Sequence, residues 1–364
     1  MRVRNIFFAA TAGTVAAGAV ASVGAVILAR AAWKGFREIS LRGKVALVTG
    51  ASRGLGLALA RELAREGVHL AICARNEEEL LWAQEELQSM GAEVLAIPCD
   101  VGDREQVHQM FEQIRTRFGA LDVLINNAGQ ISVGPVQSQT AEDFEEAVRV
   151  MYLAHVYTTL EAIPEMLARG SGNIANITSI GGKVSIPHLL PYSAAKFAAL
   201  GFSEGLHAEL AKDGIKVTTV VPGLMRTGSH VNAQFKGDHR KEFAWFSVSA
   251  SAPLASMSAR RAARKIVTGI KRGKTEIVLS PQAQLLAFAH GVAPGTVTDA
   301  LGLVNRVMPT SGPGGTESFT GKESGSPISD SIVTALGRRA GEDLHQYPEK
   351  RSSENTGPEA LLAD

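Results

Sequence analysis

Tyr192 and Lys196 stand in the run Tyr192-Ser-Ala-Ala-Lys196. On a helix that spacing places the two side chains on one face, one above the other. A phenol is a poor proton shuttle at its ordinary pKa of about 10. A neighbouring ammonium favours phenolate and lowers that value, and a pKa near working pH suits general acid–base catalysis. The pair alone is common in proteins. Ser179, however, closes the apolar run Asn173–Thr178 just upstream, and its hydroxyl could hold a substrate carbonyl oxygen beside the tyrosine.

A second chemical feature lies near the start of the globular part. Thr49-Gly50-Ala51-Ser52-Arg53-Gly54-Leu55-Gly56 joins a short apolar run to an amphipathic one. A strand that turns sharply into a helix presents backbone N–H groups to an anion. Gly50 permits the turn, Gly54 lets backbone approach a pyrophosphate, and Gly56 lets helix and strand pack closely. The spacing is G-x-x-x-G-x-G and differs from the G-x-G-x-x-G of the common dinucleotide fingerprint. NAD binders place an acid near the end of the second strand for the ribose 2′-hydroxyl. Here that strand ends Cys73-Ala74-Arg75-Asn76, with no acid before Asn76. Arg53 and Arg75 are placed instead to meet a 2′-phosphate, which arginine binds in forked geometry. The cofactor expected is NADP(H).

These groups need a scaffold. From Lys44 to about Ser280, short apolar runs alternate with longer amphipathic stretches. The runs are Val45–Thr49, Leu70–Cys73, Val94–Ile97, Val123–Ile125, Asn173–Ile177, Val217–Val221 and Glu276–Leu279. Such alternation predicts βαβ units and a parallel sheet, and strands apolar throughout fit a sheet covered on both faces. Thr140-Ala-Glu-Asp143 has the form of a capping box. The charge balance, 37 basic against 36 acidic residues among 364, lacks the basic excess of a nucleic-acid binder. Cys73 and Cys99 are the only cysteines. With no C-x-x-C they read as small core residues, and no histidine pair has metal-ligand spacing.

Ile6 to Ala29 is without charge. As a helix it would span roughly 36 Å, against about 30 Å of bilayer hydrocarbon. Arg30, Lys34, Arg37, Arg42 and Lys44 follow it, and such flanks collect on the cytoplasmic side. The expectation is one transmembrane helix with the body in the cytoplasm. The alternatives are a cleaved signal peptide and a buried helix. Ala29-Arg30-Ala31 is a poor cleavage site, and a signal's apolar centre is shorter.

Taken in order, the turn Thr49–Gly56, Asp100-Val101, Asn126-Asn127-Ala128-Gly129, Ser179, Tyr192 with Lys196, and Pro222-Gly223 resemble the short-chain dehydrogenase/reductase family across roughly Leu41 to Ser280. The resemblance implies a Rossmann-like, doubly wound parallel sheet of about seven strands. It implies cofactor contacts from Gly50, Ser52, Arg53, Gly54, Leu55, Gly56 and Arg75. Asp100 and Val101 would meet the adenine. Asn126, Asn127, Ala128 and Gly129 would support the sheet and border the cofactor. Pro222 and Gly223 would lie near the nicotinamide, Thr227 would reach its carboxamide, and Lys196 would hold its ribose. Ser179, Tyr192 and Lys196 would be catalytic, with Ser179 and Tyr192 also holding substrate. Family members commonly pair, so a homodimer is expected. One position departs: where the family has an asparagine on the helix before Pro164, this chain has Met151. Either the proton relay runs through other groups, or turnover is slow, or the register is shifted.

The activity expected is hydride transfer between NADP(H) and a carbonyl or secondary alcohol. The rival is a nucleotide-binding sensor or scaffold with little turnover. Val184, Ile186, Leu189 and Leu190 suggest an apolar wall, and Phe235, Phe243, Trp245 and Phe246 an aromatic lid. Together with the membrane segment these suggest a lipophilic substrate of steroid, retinoid or fatty-acyl type, unless the aromatics simply pack the lid onto the core. The chain divides into an anchor (1–40), the catalytic domain (41–280), an apolar extension (281–308) that packs on the body or lies at a membrane surface, and a tail (309–364). The tail's low apolar content predicts disorder.

Overall fold

Val45-Ala-Leu-Val-Thr49 is β1, and all five residues are buried, as the uninterrupted apolar run requires. Around it the chain builds a seven-stranded sheet. The structure, a computed structural model, describes residues 38–347 except 253–255, 313, 328, 330, 332 and 333. The remaining strands are β2 (His69–Ala74), β3 (Val94–Pro98), β4 (Val123–Asn126), β5 (Gly172–Ile177), β6 (Ile215–Val221) and β7 (Glu276–Val278). They lie in the order β7-β6-β5-β4-β1-β2-β3, with parallel registers throughout. All seven runs picked from the sequence are strands of this one sheet.

Helices cover both faces. On one side α1 (Gly54–Arg65) packs with α8 (Ala259–Lys271); Leu57, Leu63, Ala262 and Ile266 join a single apolar cluster there. On the other, α3 (Arg104–Phe118) and α5 (Ala154–Arg169) bury Met110, Phe111, Ala162 and Met166. Each fully buried methionine or phenylalanine among them contributes about 2 kcal/mol. Local signals set the ends. Asn76 caps α2 (Glu77–Ser89) by accepting from the Glu79 N–H at 3.0 Å, and Asp103 caps α3. Before α4 (Ala141–Val148) the Asp143 carboxylate accepts from the Thr140 N–H at 2.7 Å. A π-helical turn, Arg149–Leu153, joins α4 to α5. Then come α6 (Leu190–Leu210) and α7 (His239–Ser251). The order of strands reverses direction between β1 and β4, and such a switch opens a crevice at the strands' carboxyl ends.

The C-terminal part holds an apolar extension and a tail. Residues 281–308 hold two helices, α9 (Pro281–Val292) and α10 (Pro294–Asn305). Their large apolar side chains, among them Leu285, Phe288, Val292 and Leu303, face solvent. The extension therefore does not bury itself in the body. The disorder expected from residue 309 onward is corrected for the described part of the tail. Phe319 pairs with Phe235 in a small three-stranded sheet, and α11 (Ala335–Asp343) ends against α1, with Leu344 buried in the main core. Composition misjudged this segment because it docks on a preformed surface and needs few apolar residues of its own. The N-terminal run Ile6–Ala29 lies outside the described residues. Among the described residues no helix is long and apolar enough to cross a membrane.

Candidate active site

The phosphate turn is assembled as its sequence requires. Gly50 and Gly54 have φ of +64° and +62°, a region that favours glycine. A Cβ on Gly56 would run into the Gly50 carbonyl, and one on Gly50 would lie 2.9 Å from the Ala128 Cα. Asn127 holds the turn by donating to the Thr49 and Gly50 carbonyls at 2.9 and 3.2 Å. Arg53 gives α1 no side-chain cap, so its amino end remains suited to an anion. Asn126 sits in a buried network: it donates to Asn176 at 2.9 Å, Asn176 to Ser203 at 3.0 Å, and Ser203 meets Thr219 at 2.7 Å. This chain of hydrogen bonds ties β4 through β5 to α6 and β6.

At the corner expected for the 2′ position the two arginines differ. The Arg53 guanidinium donates to both Glu79 carboxylate oxygens at 3.0 Å. Sequence reasoning missed Glu79, which lies past the strand end but folds back on the first turn of α2. Its signal was the Asn76 cap, which fixes where that turn begins. Arg75 is exposed and makes no ion pair among the described residues. Asp100 bonds the Gly102 N–H at 2.9 Å and pairs with Arg149 at 3.0 Å, and Val101 is buried beside it. The Ile180 N–H bonds the Pro222 carbonyl at 2.7 Å. That bond joins the loop after Ser179 to the loop carrying Gly223 and the buried Thr227.

Ser179, Tyr192 and Lys196 converge. The Ser179 hydroxyl accepts from the Gly181 N–H at 3.0 Å. Lys196 lies 6.0 Å from the Tyr192 ring centroid and donates to the Ile177 carbonyl at 2.8 Å. The pair therefore shares one face of α6. The expected lowering of the phenol is reversed, however. Burial raises the Tyr192 phenol above its ordinary value, with Ser179 opposing. Lys196 is itself pushed down to about 8 by burial, because a low-dielectric site disfavours its charge.

That shift has a consequence for stability. Below pH 8 the folded protein holds a buried ammonium at a cost of roughly 3 kcal/mol relative to the solvated group. Between pH 8 and the unfolded value of 10.5, the unfolded chain still binds the proton that the folded one has lost. Stability from this group therefore rises with pH through that window and levels off above it. Denaturant midpoints from pH 7 to 10 should show the parent gaining on Lys196→Met. A constant difference would remove the argument.

Met151 lies near the pair: a Cβ on Gly129 would lie 3.5 Å from its Cγ and 3.8 Å from the Lys196 Nζ. One helical turn on, His155 is buried, and neither ring nitrogen bonds another group among the described residues. Burial, with the Lys196 charge adding, holds it well below its ordinary pKa and therefore neutral. A cavity of about 190 Å³ beside Tyr192 is lined by Gln130, Ser132, Asp143, Glu146, Gln234 and Ser318 together with Met151. Phe235, Phe243 and Phe246 are buried against one another, with ring centroids at 5.2 and 6.0 Å. They hold the lid to the core and are not among the cavity's walls.

The short chain dehydrogenase family model matches residues 44–236. A putative ketoacyl reductase of Streptomyces coelicolor is 39% identical over 186 residues, covering 50% of this chain and 71% of that protein. A dehydrogenase/reductase SDR family protein 7-like protein of Anopheles gambiae is 35% identical over 256 residues, covering 68% and 78%. Among solved structures, L-sorbose reductase from Gluconobacter frateurii, complexed with NADPH and L-sorbose, superimposes with a TM-score of 0.60 at 28% identity, covering 67% of this chain and 97% of that one.

Proposed function

The chain belongs to the short-chain dehydrogenase/reductase family, and from that premise we propose that it is an NADP(H)-dependent oxidoreductase acting on a carbonyl or secondary alcohol. The observation that carries the reading is the convergence of Ser179, Tyr192 and Lys196 at the carboxyl end of β5, on the same edge of the parallel sheet as the glycine turn after β1. The turn fits a dinucleotide, since Gly50 and Gly56 let it close tightly where a Cβ would strike Ala128 or the Gly50 carbonyl, and the start of α1 has no side-chain cap. Ser52, Arg53, Gly54, Leu55 and Arg75 would hold the phosphates, and Asp100 and Val101 would border the adenine. Ala128, Gly129, Pro222, Gly223 and Thr227 would flank the nicotinamide. Bound there, the nicotinamide supplies or accepts the hydride.

The chain's own residues handle orientation and the proton. Ser179 donates to the substrate oxygen and fixes its place. Tyr192 donates the proton to that oxygen during reduction. Lys196 holds the nicotinamide ribose and stabilises phenolate once the proton has left. Preference for NADP rests on Arg75, which is exposed and makes no ion pair among the described residues. A weakly active, NADP-binding sensor is the second reading, and Met151 favours it, because a thioether beside Lys196 cannot hold a water for a proton relay.

For the substrate, the uncharged run Ile6–Ala29 supports a lipophilic carbonyl compound, whereas Val184 and Leu189 are buried and neither they nor Ile186 and Leu190 wall the cavity. The polar walls of the cavity support hydroxyl or amide groups close to its reacting end. We place the protein on a membrane through its N-terminal segment, catalytic domain on the cytoplasmic side, on the strength of that run and the basic residues after it. Exposed Leu160 and Leu167 on α5 and Phe197 on α6 support a homodimer. Following NADPH absorbance over a panel of polar and long-chain apolar carbonyls tests the activity and the substrate class together. NADPH binding without turnover on any of them would leave the sensor. Equal rates on both kinds would remove the case for a lipophilic substrate.

A further inference from the structure

The described tail ends against the glycine turn. The Leu344 carbonyl accepts from the Gly54 N–H at 2.9 Å. Arg61 on α1 donates to the Asp343 carbonyl at 2.7 Å, and His345 meets Glu86 on α2 at 2.9 Å. Gln346, only 2% exposed, reaches across to the loop that carries Thr227. There the Asn232 Nδ2 donates to the Gln346 main-chain carbonyl at 3.1 Å and to its Oε1 at 2.7 Å. Gly341 also packs on Gly228 of the same loop. The tail therefore bridges the two loops between which the pyrophosphate and nicotinamide would lie.

The direction of the Gln346 amide follows from this bonding. A main-chain carbonyl can only accept, so Asn232 must turn its nitrogen toward it. That nitrogen also meets the Gln346 amide, which must then present its oxygen. The Gln346 Nε2 is left facing the turn, 2.9 Å from where a Cβ on Gly54 would stand. The Leu344 carbonyl satisfies only one of the N–H groups at the start of α1; such a terminus has four without intrahelical partners. Two sets of donors, the helix terminus and the Gln346 amide, thus face one space. An anion is the acceptor that suits both.

We infer that the C-terminal segment is part of the cofactor cleft, with the Gln346 side-chain amide donating to the dinucleotide's pyrophosphate. The inference rests on reading the turn as a dinucleotide site. In the full-length protein, Gln346→Glu keeps the shape of the side chain and an oxygen for Asn232, but replaces the donor with a carboxylate. Gln346→Ala removes donor and acceptor together. Fluorescence titration should show the Kd for NADPH rising about tenfold or more in Gln346→Glu, and about three- to tenfold in Gln346→Ala. The Kd for 2′-AMP, which lacks a pyrophosphate, should stay unchanged in both. Unchanged melting temperatures would show that the tail remains docked. An unaltered NADPH Kd in Gln346→Glu overturns the inference. So does tighter NADPH binding by Gln346→Ala, because the segment would then compete with the cofactor. An intact protein that binds neither NADPH nor 2′-AMP brings down the dinucleotide reading itself, which is a separate result.

Discussion

Tyr192→Phe should lower kcat/KM for carbonyl reduction by about 10²–10⁴, the range for loss of a positioned general acid, with NADPH binding unchanged. Phenylalanine keeps the ring, which packs with Val150, Met151 and Ala195, and deletes only the hydroxyl. Fold and cleft should therefore survive, and the loss should fall on chemistry. Steady-state kinetics beside an NADPH titration separates the two. A loss smaller than tenfold would mean that another group delivers the proton. The direction of the phenol's shift adds to this. Burial favours the protonated form, which is the form that donates. Reduction should hold its rate through neutral pH and fall only on the alkaline side. Oxidation, which needs phenolate, should be slow at neutral pH and rise with pH.

Arg75→Ala should raise the KM for NADPH by about 10–100-fold, as expected for losing hydrogen bonds to a charged group, and leave the KM for NADH nearly unchanged. Arg75 is singled out over Arg53 because the latter already gives two bonds to Glu79. A guanidinium whose charge is matched by a buried carboxylate offers less to a phosphate. Arg53→Ala should therefore cost less than Arg75→Ala, and Glu79→Gln should tighten NADPH by releasing Arg53. Initial-rate measurements with both cofactors give all three. Equal losses for NADPH and NADH in Arg75→Ala would show that the 2′-phosphate is not what this arginine meets.

Much of this site can be read from the chain itself. The seven strands are legible because each is a short apolar run buried on both faces, and Tyr192 and Lys196 because helical spacing fixes their common face. Met151 is picked out by counting back from Pro164, and the fold brings it and Lys196 to the same side of Gly129. What could not be read is set by tertiary approach. Glu79 is ordinary for a first helical turn until the fold brings Arg53 to it. The sign of the phenol's shift depends on how far burial outweighs a neighbouring charge, which spacing does not state. Leu344 and Gln346 lie in a stretch whose composition is that of a disordered segment. Their partners, Gly54 and Asn232, are far away in sequence.

That separation bears on how the protein matures. Arg61 and Asp343 meet across 282 positions, so the first βα unit of the sheet is completed by residues made long after it. Contacts this distant are slow to form, because closing so long a loop comes before any reward from the contact. A nascent chain can pair β1 with β2 while the mouth of its nucleotide crevice still gapes. Competence to bind should therefore arrive as a distinct late step following formation of the sheet.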